Sequence, residues 1–183
     1  MNTINKIEDK YLVTWPWRQT PPKLPSNFSL AKGVLASLYK RYESKPEYID
    51  AIERILKQQI ESGIIEKVPN ATPGPGTHYL PFHLIIDDKK STPIRIVYNG
   101  SARTKKGNNS INDCLLKGVN LLSKMFPILL RARLQAILVL ADIEKAFHQI
   151  NLQESERDYL RFLWYNMILR KQGIIVIETY QFC

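Results

Sequence analysis

Long apolar runs, glycine and cysteine are all scarce in this chain of 183 residues. Nowhere do about 18 apolar residues follow one another without a charge, the span a bilayer helix needs. The nearest stretch, residues 121–141, is broken by Lys124, Arg131 and Arg133, so a membrane partner is not expected. The opening MNTINKIEDK has no apolar run behind its charges and does not read as a signal peptide. With only 8 glycines and no repeats, collagen-like and low-complexity classes are excluded. Two cysteines, Cys114 and Cys183, fit neither a disulfide framework nor a CxxC metal spacing. A reducing, intracellular compartment, cytoplasmic or nuclear, is the expectation. His78, His83 and His148 are too widely separated for a zinc site. PGPGTH lacks the Lys-Ser/Thr ending of a phosphate-binding loop.

Acidic residues are missing from one region in particular. Residues 89–133 hold ten bases and one acid, Asp113, a net of +9, while the sixteen bases and sixteen acids elsewhere cancel. A single-sign field confined to part of a chain is the footprint of a polyanion partner such as nucleic acid.

The 44% apolar content and mass of 21.2 kDa suit one globular core. Residues 11–27 carry four prolines and predict extended or turn structure. Trp15 and Trp17 there could stack on bases or pack as a lead-in strand. A helix follows with Ser29 as cap and Leu30, Val34, Leu38 and Tyr42 on one face. A second has Pro46 in its first turn, Ile49, Ile52, Leu56 and Ile60 at helical spacing, and Gly63 as its stop. The runs YLPFHLII and IRIVY around DDKKSTP predict an antiparallel hairpin. SARTKKGNN reads as a loop, and SINDCLLKG and residues 121–134 as helical, the latter broken near Pro127. AILVLA, residues 136–141, reads as a buried strand, and YLRFLWY and GIIVIETYQF as two more. That strand would deliver Asp142 at its end, placed either as a helix cap or to hold a hard cation such as Mg²⁺.

The ordered set GIIEKVP, HYLPFH, RIVYNGSA, SINDCLLKG, ADIEKAFHQI and RFLW resembles the reverse transcriptase of BEL/Pao-type LTR retrotransposons, over residues 11–183. The resemblance implies an α+β fold, a partial right-hand polymerase: a Pro-rich and helical lead-in (1–62), a basic fingers-like region (63–135) and the start of a palm (136–183). It implies an RNA-directed DNA polymerase that uses Mg²⁺, with deoxynucleoside triphosphates, an RNA template, a DNA primer, their RNA/DNA hybrid and the rest of a Pol polyprotein as partners. Asp142 would be the catalytic metal ligand, with the carbonyl of Ile143 beside it. Phe147 matches the aromatic steric gate, or is a core ring. Arg95 matches the fingers arginine on the triphosphate, and Lys89 or Lys90 would add a phosphate contact or remain solvated. Gln149 matches a position near the template-primer, or is a surface polar residue.

Three positions depart from the family's pattern: Asn99 where aspartate is usual, Val119 where proline is usual, and Phe82 where histidine is frequent. Family members continue into an FG…SP segment and a Tyr-x-Asp-Asp hairpin, and neither occurs in this sequence. Two-metal phosphoryl transfer needs a cluster of carboxylates, which Asp142 cannot supply by itself. The expectation is therefore a polymerase fragment without activity by itself. The alternatives are a non-catalytic nucleic-acid-binding remnant and a basic protein-interaction module.

Overall fold

The computed structural model describes residues 4–7, 10–69, 72–87, 89, 93–134, 136–142, 146, 150–167, 170 and 175–183. It is a mixed α+β chain. Helix α1 (Phe28–Tyr42) starts one residue ahead of Ser29, after Asn27 in the left-handed region (φ 55), and no side chain caps it. Ala31, Leu35 and Leu38 are its buried face, so Leu35 rather than Val34 is central and Leu30 and Val34 flank it half-buried. Helix α2 (Pro46–Glu61) has its proline at the first turn, where the missing N–H is not needed, and buries Ile49, Ile52 and Leu56. Ile60, expected on that face, is exposed. Gly63 ends the helix with φ 61, its N–H donating to the Ile60 carbonyl at 3.0 Å.

The strands form three small sheets. Strands β1 (Ile4–Ile7) and β2 (Lys10–Val13) pair antiparallel, and β2 pairs in parallel with β6 (Ile150–Leu152). Strand β8 (Ile177–Phe182) lies between β3 (Ile65–Val68) and β7 (Arg161–Tyr165), antiparallel to both. The expected hairpin is present as β4 (Phe82–Ile86) and β5 (Ile94–Tyr98). Every residue of β7 is buried, because α1 and α2 cover the sheet and the hairpin's Phe82 and Tyr98 pack against it. Phe162 is at the centre, 5.0 Å from the Tyr98 ring and 5.6 Å from that of Tyr180, centroid to centroid. Trp164 reaches out of this core through Nε1, which donates to Glu53 of α2 at 2.8 Å.

Sequence expectations fail most between residues 115 and 141: of SINDCLLKG only Ile111–Cys114 is helical, and residues 121–124 are irregular rather than helical. Helix α4 (Met125–Arg133) is not broken at Pro127: it begins two residues earlier, so the proline falls in the first turn, where it is tolerated. Residues 136–141 are not a strand. Their chain is irregular, with Val139 81% and Leu140 85% exposed. A strand is stabilised by cross-strand partners, and no described strand pairs with AILVLA despite its strong β propensity.

His78 ties the lead-in to β7. Its ring is 1% exposed and Nδ1 donates to the Pro25 carbonyl at 2.7 Å, while its backbone carbonyl accepts from the Arg161 N–H at 3.1 Å. Burial lowers its pKa below the ordinary 6.5, against the opposing pull of the Pro25 bond. The unfolded chain therefore binds a proton that the folded chain resists, and stability falls as pH drops below 6.5. Urea midpoints compared at about pH 7.5 and 5.5 should show this loss, and His78→Gln should reduce it.

Candidate nucleic-acid interface

The site begins at the β4–β5 hairpin, whose pleat sorts its residues. Phe82, Leu84, Ile96 and Tyr98 face the core, whereas His83, Ile85 and Arg95 are exposed. Arg95 is the second residue of β5 and pairs with Ile85, next to the connection that carries Lys89. The Asp87 N–H donates to the Pro93 carbonyl at 2.8 Å and closes the connection, and the Lys89 N–H donates to Asp87 Oδ1 at 3.3 Å. Arg95 and Lys89 are thus presented to solvent at one end of the hairpin. Lys90 lies outside the described residues.

A short loop then displays Lys105 and Lys106, and its anchors are polar. Asn99 Oδ1 accepts from the Ser101 N–H at 3.0 Å, so the neutral amide at this departure position keeps the local turn that a carboxylate would make. Gly100 sits in close approach to the helix of residues 111–114: a Cβ there would lie 3.2 Å from the buried Ile111 Cγ2 and 2.7 Å from Asn112 Oδ1, the end of an exposed side chain that would have to move. Asn27 holds the loop from below, Nδ2 donating to the Ala102 carbonyl at 3.2 Å and Oδ1 accepting from Thr104. Helix α3 (Ile111–Cys114) follows with a reciprocal capping box between Ser110 and Asp113. The Ser110 hydroxyl and N–H hold the Asp113 carboxyl below its usual range, and Arg103 assists at 2.9 Å. This box was readable in the sequence SIND, although sequence reasoning stopped at calling the segment helical.

Nine of the ten bases between residues 89 and 133 are described, and all nine are exposed. Among the described residues only Arg103 of these forms an ion pair, with Asp113. Charges left unneutralised and solvated in this way can exchange counterions for phosphates. Lys124 stands at the N-terminus of α4 and Arg131 and Arg133 lie in its last turn, on a helix whose apolar side chains are exposed, so this end of the field is both basic and apolar. Trp15 and Trp17 are packed. The Trp15 N–H and Trp17 Nε1 both donate to the Glu156 carboxylate, and Trp17 meets Tyr159 edge-on at 5.2 Å.

Asp142 is exposed in irregular chain rather than carried at the end of a strand. Ile143, Phe147 and Gln149 lie outside the described residues. Among the described residues no three His, Cys, Asp or Glu side chains gather. No described helix is long and apolar enough to cross a membrane. Searches against protein-family models, curated proteins and solved structures found no match to the chain. The class that the described residues define is a mixed α+β chain with an exposed basic segment.

Proposed function

We propose that the chain is part of a BEL/Pao-type RNA-directed DNA polymerase and that, by itself, it holds nucleic acid without catalysing synthesis. The observation that carries the binding half is the run of exposed bases between residues 89 and 133, only one of which is ion-paired among the described residues. The polymerase half is supported by the ordered motifs, with Arg95 and Lys89 at one hairpin end as triphosphate contacts and Asp142 as the first catalytic carboxylate. In the complete enzyme Mg²⁺ would supply charge neutralisation and activation of the primer hydroxyl. The exposed, irregular course of residues 136–141, where the resemblance would place a palm strand, favours a second reading, a binding remnant without chemistry.

The test is primer extension on an RNA template with deoxynucleotides and Mg²⁺. The chain by itself is expected to bind the hybrid and extend nothing. Extension abolished by Asp142→Asn would overturn the claim of inactivity, and absence of hybrid binding at low salt would overturn the binding claim in favour of a protein-interaction module. Addition of a polypeptide bearing Tyr-x-Asp-Asp separates the two readings. Restored extension supports the enzyme module, and none supports the remnant.

A further inference from the structure

The acid-free part of the basic segment is also its apolar part. Between Asp113 and Asp142 the chain has four bases, Lys117, Lys124, Arg131 and Arg133, and no acid. Helix α4 lies in this stretch and buries none of its residues. Leu129, Leu130 and Arg133 follow Phe126 at offsets of three, four and seven, which places all four on one face of the helix. All four are exposed. At the rise of an α-helix, the stripe from Phe126 to Arg133 is about 10 Å long. Phe126, at 71%, is the most exposed aromatic ring among the described residues.

Such a face asks two things of its occupant: negative charge for the cations, and flat apolar surface for the ring and the leucines. A duplex meets only the first, because its base faces are stacked inside and it presents phosphates and groove edges. A second copy of the chain meets only the second, because it sets four cations against four more. An anionic bilayer takes a helix with apolar and basic residues on opposite sides. On α4 they are mixed, since Arg133 lies in the stripe of Phe126, Leu129 and Leu130. A single strand meets both demands: its phosphates pair with cations and its unstacked bases rest on aromatic rings.

We propose that this face of α4 binds single-stranded nucleic acid, one unpaired base stacking on the Phe126 ring while neighbouring phosphates meet Arg133 and Lys124. The inference rests on the nucleic-acid reading above and adds to it a place for an unpaired strand, carried by a ring that a duplex does not use.

The probe is a fluorescein-labelled RNA of about 12 nucleotides, within the span such sites cover, free of self-complementarity. It is titrated with the full chain both alone and annealed to its DNA complement, at about 100 mM salt, and followed by anisotropy. Phe126→Ala should weaken single-strand binding about five- to hundredfold, the weight of one base on one ring, and change hybrid binding by less than about twofold. Phe126→Trp should retain the affinity for the single strand, whereas Phe126→Leu, which keeps apolar bulk without a π-face, should not. Phe126 is exposed, so these substitutions leave the fold in place. Hybrid binding together with single-strand affinity indifferent to Phe126→Ala, or a loss equal for both probes, overturns this inference and leaves the nucleic-acid reading standing. Failure of the unsubstituted chain to bind either probe overturns both. Phe126-dependent binding to phosphatidylserine-containing vesicles, or Phe126-dependent self-association, without Phe126-dependent RNA binding also overturns it and assigns the face to a bilayer or to a second copy.

Discussion

Phe162→Ala should destabilise the chain by about 3–5 kcal/mol, the largest effect expected of any single substitution here. Phe162 is 0% exposed and lies where three parts of the fold meet. Its ring meets Phe82 and Tyr98 of the hairpin and Tyr180 and Phe182 of β8, with the Phe182 centroid at 5.7 Å. Truncation removes the transfer energy of the ring and leaves a cavity that neighbours on separate sheets cannot close together. Domains of this size have net stabilities of roughly 5–15 kcal/mol, so about a fifth of the total or more is at stake. Urea unfolding followed by far-UV circular dichroism should place the midpoint far lower with little change in slope. Phe126→Ala supplies the contrast. That ring is 71% exposed on α4, and its loss should change stability by less than about 0.5 kcal/mol. Equal effects at the two positions would mean that the core is placed wrongly.

Binding to an RNA/DNA hybrid should weaken steeply with salt. Each phosphate neutralised on a duplex contributes about −0.9 to the slope of log affinity against log salt. Engagement of five to seven of the nine exposed bases gives a slope of about −5 to −6, and a loss of roughly a thousandfold between about 50 and 200 mM salt. Lys105→Gln/Lys106→Gln should flatten that slope by about 2, because the anchored loop presents both bases to solvent without an acidic partner among the described residues. Lys57→Gln is the control. Lys57 lies on α2 beside Glu61, outside the basic segment, and its loss should leave the slope unchanged. Fluorescence anisotropy across a salt series measures all three. A slope near zero, or one unaffected by the loop substitutions, would remove the basic segment from the interface.

Exposed apolar side chains lie before, on and after α4, where the described residues form no strand that could cover them. Leu121, Leu122, Val139 and Leu140 are each more than 80% exposed, in a chain whose other apolar segments are mostly covered. Contiguous apolar exposure of this kind is an association hazard. A higher apparent mass at rising protein concentration is its natural readout.

Local information in the sequence was sufficient for much of the frame. The spacing of Ile49, Ile52 and Leu56 with Pro46 and Gly63 fixed α2 almost to the residue, because caps and helical period act within a few turns. Two apolar runs around a polar turn fixed β4 and β5 for the same reason. The net charge of residues 89–133 was also readable, since counting needs no structure. The sequence did not reveal that β2 runs parallel to β6, or that β8 would separate β3 from β7, because those pairings join distant segments and depend on competition among all available edges. AILVLA shows the same limit in reverse: its composition is that of a strand, but a strand exists only beside a partner. The cavity of about 740 Å³ lined by Val13, Ile96, Ile150 and Phe182 is likewise a product of tertiary structure alone, because its lining side chains come from segments far apart in the chain that no local pattern brings together.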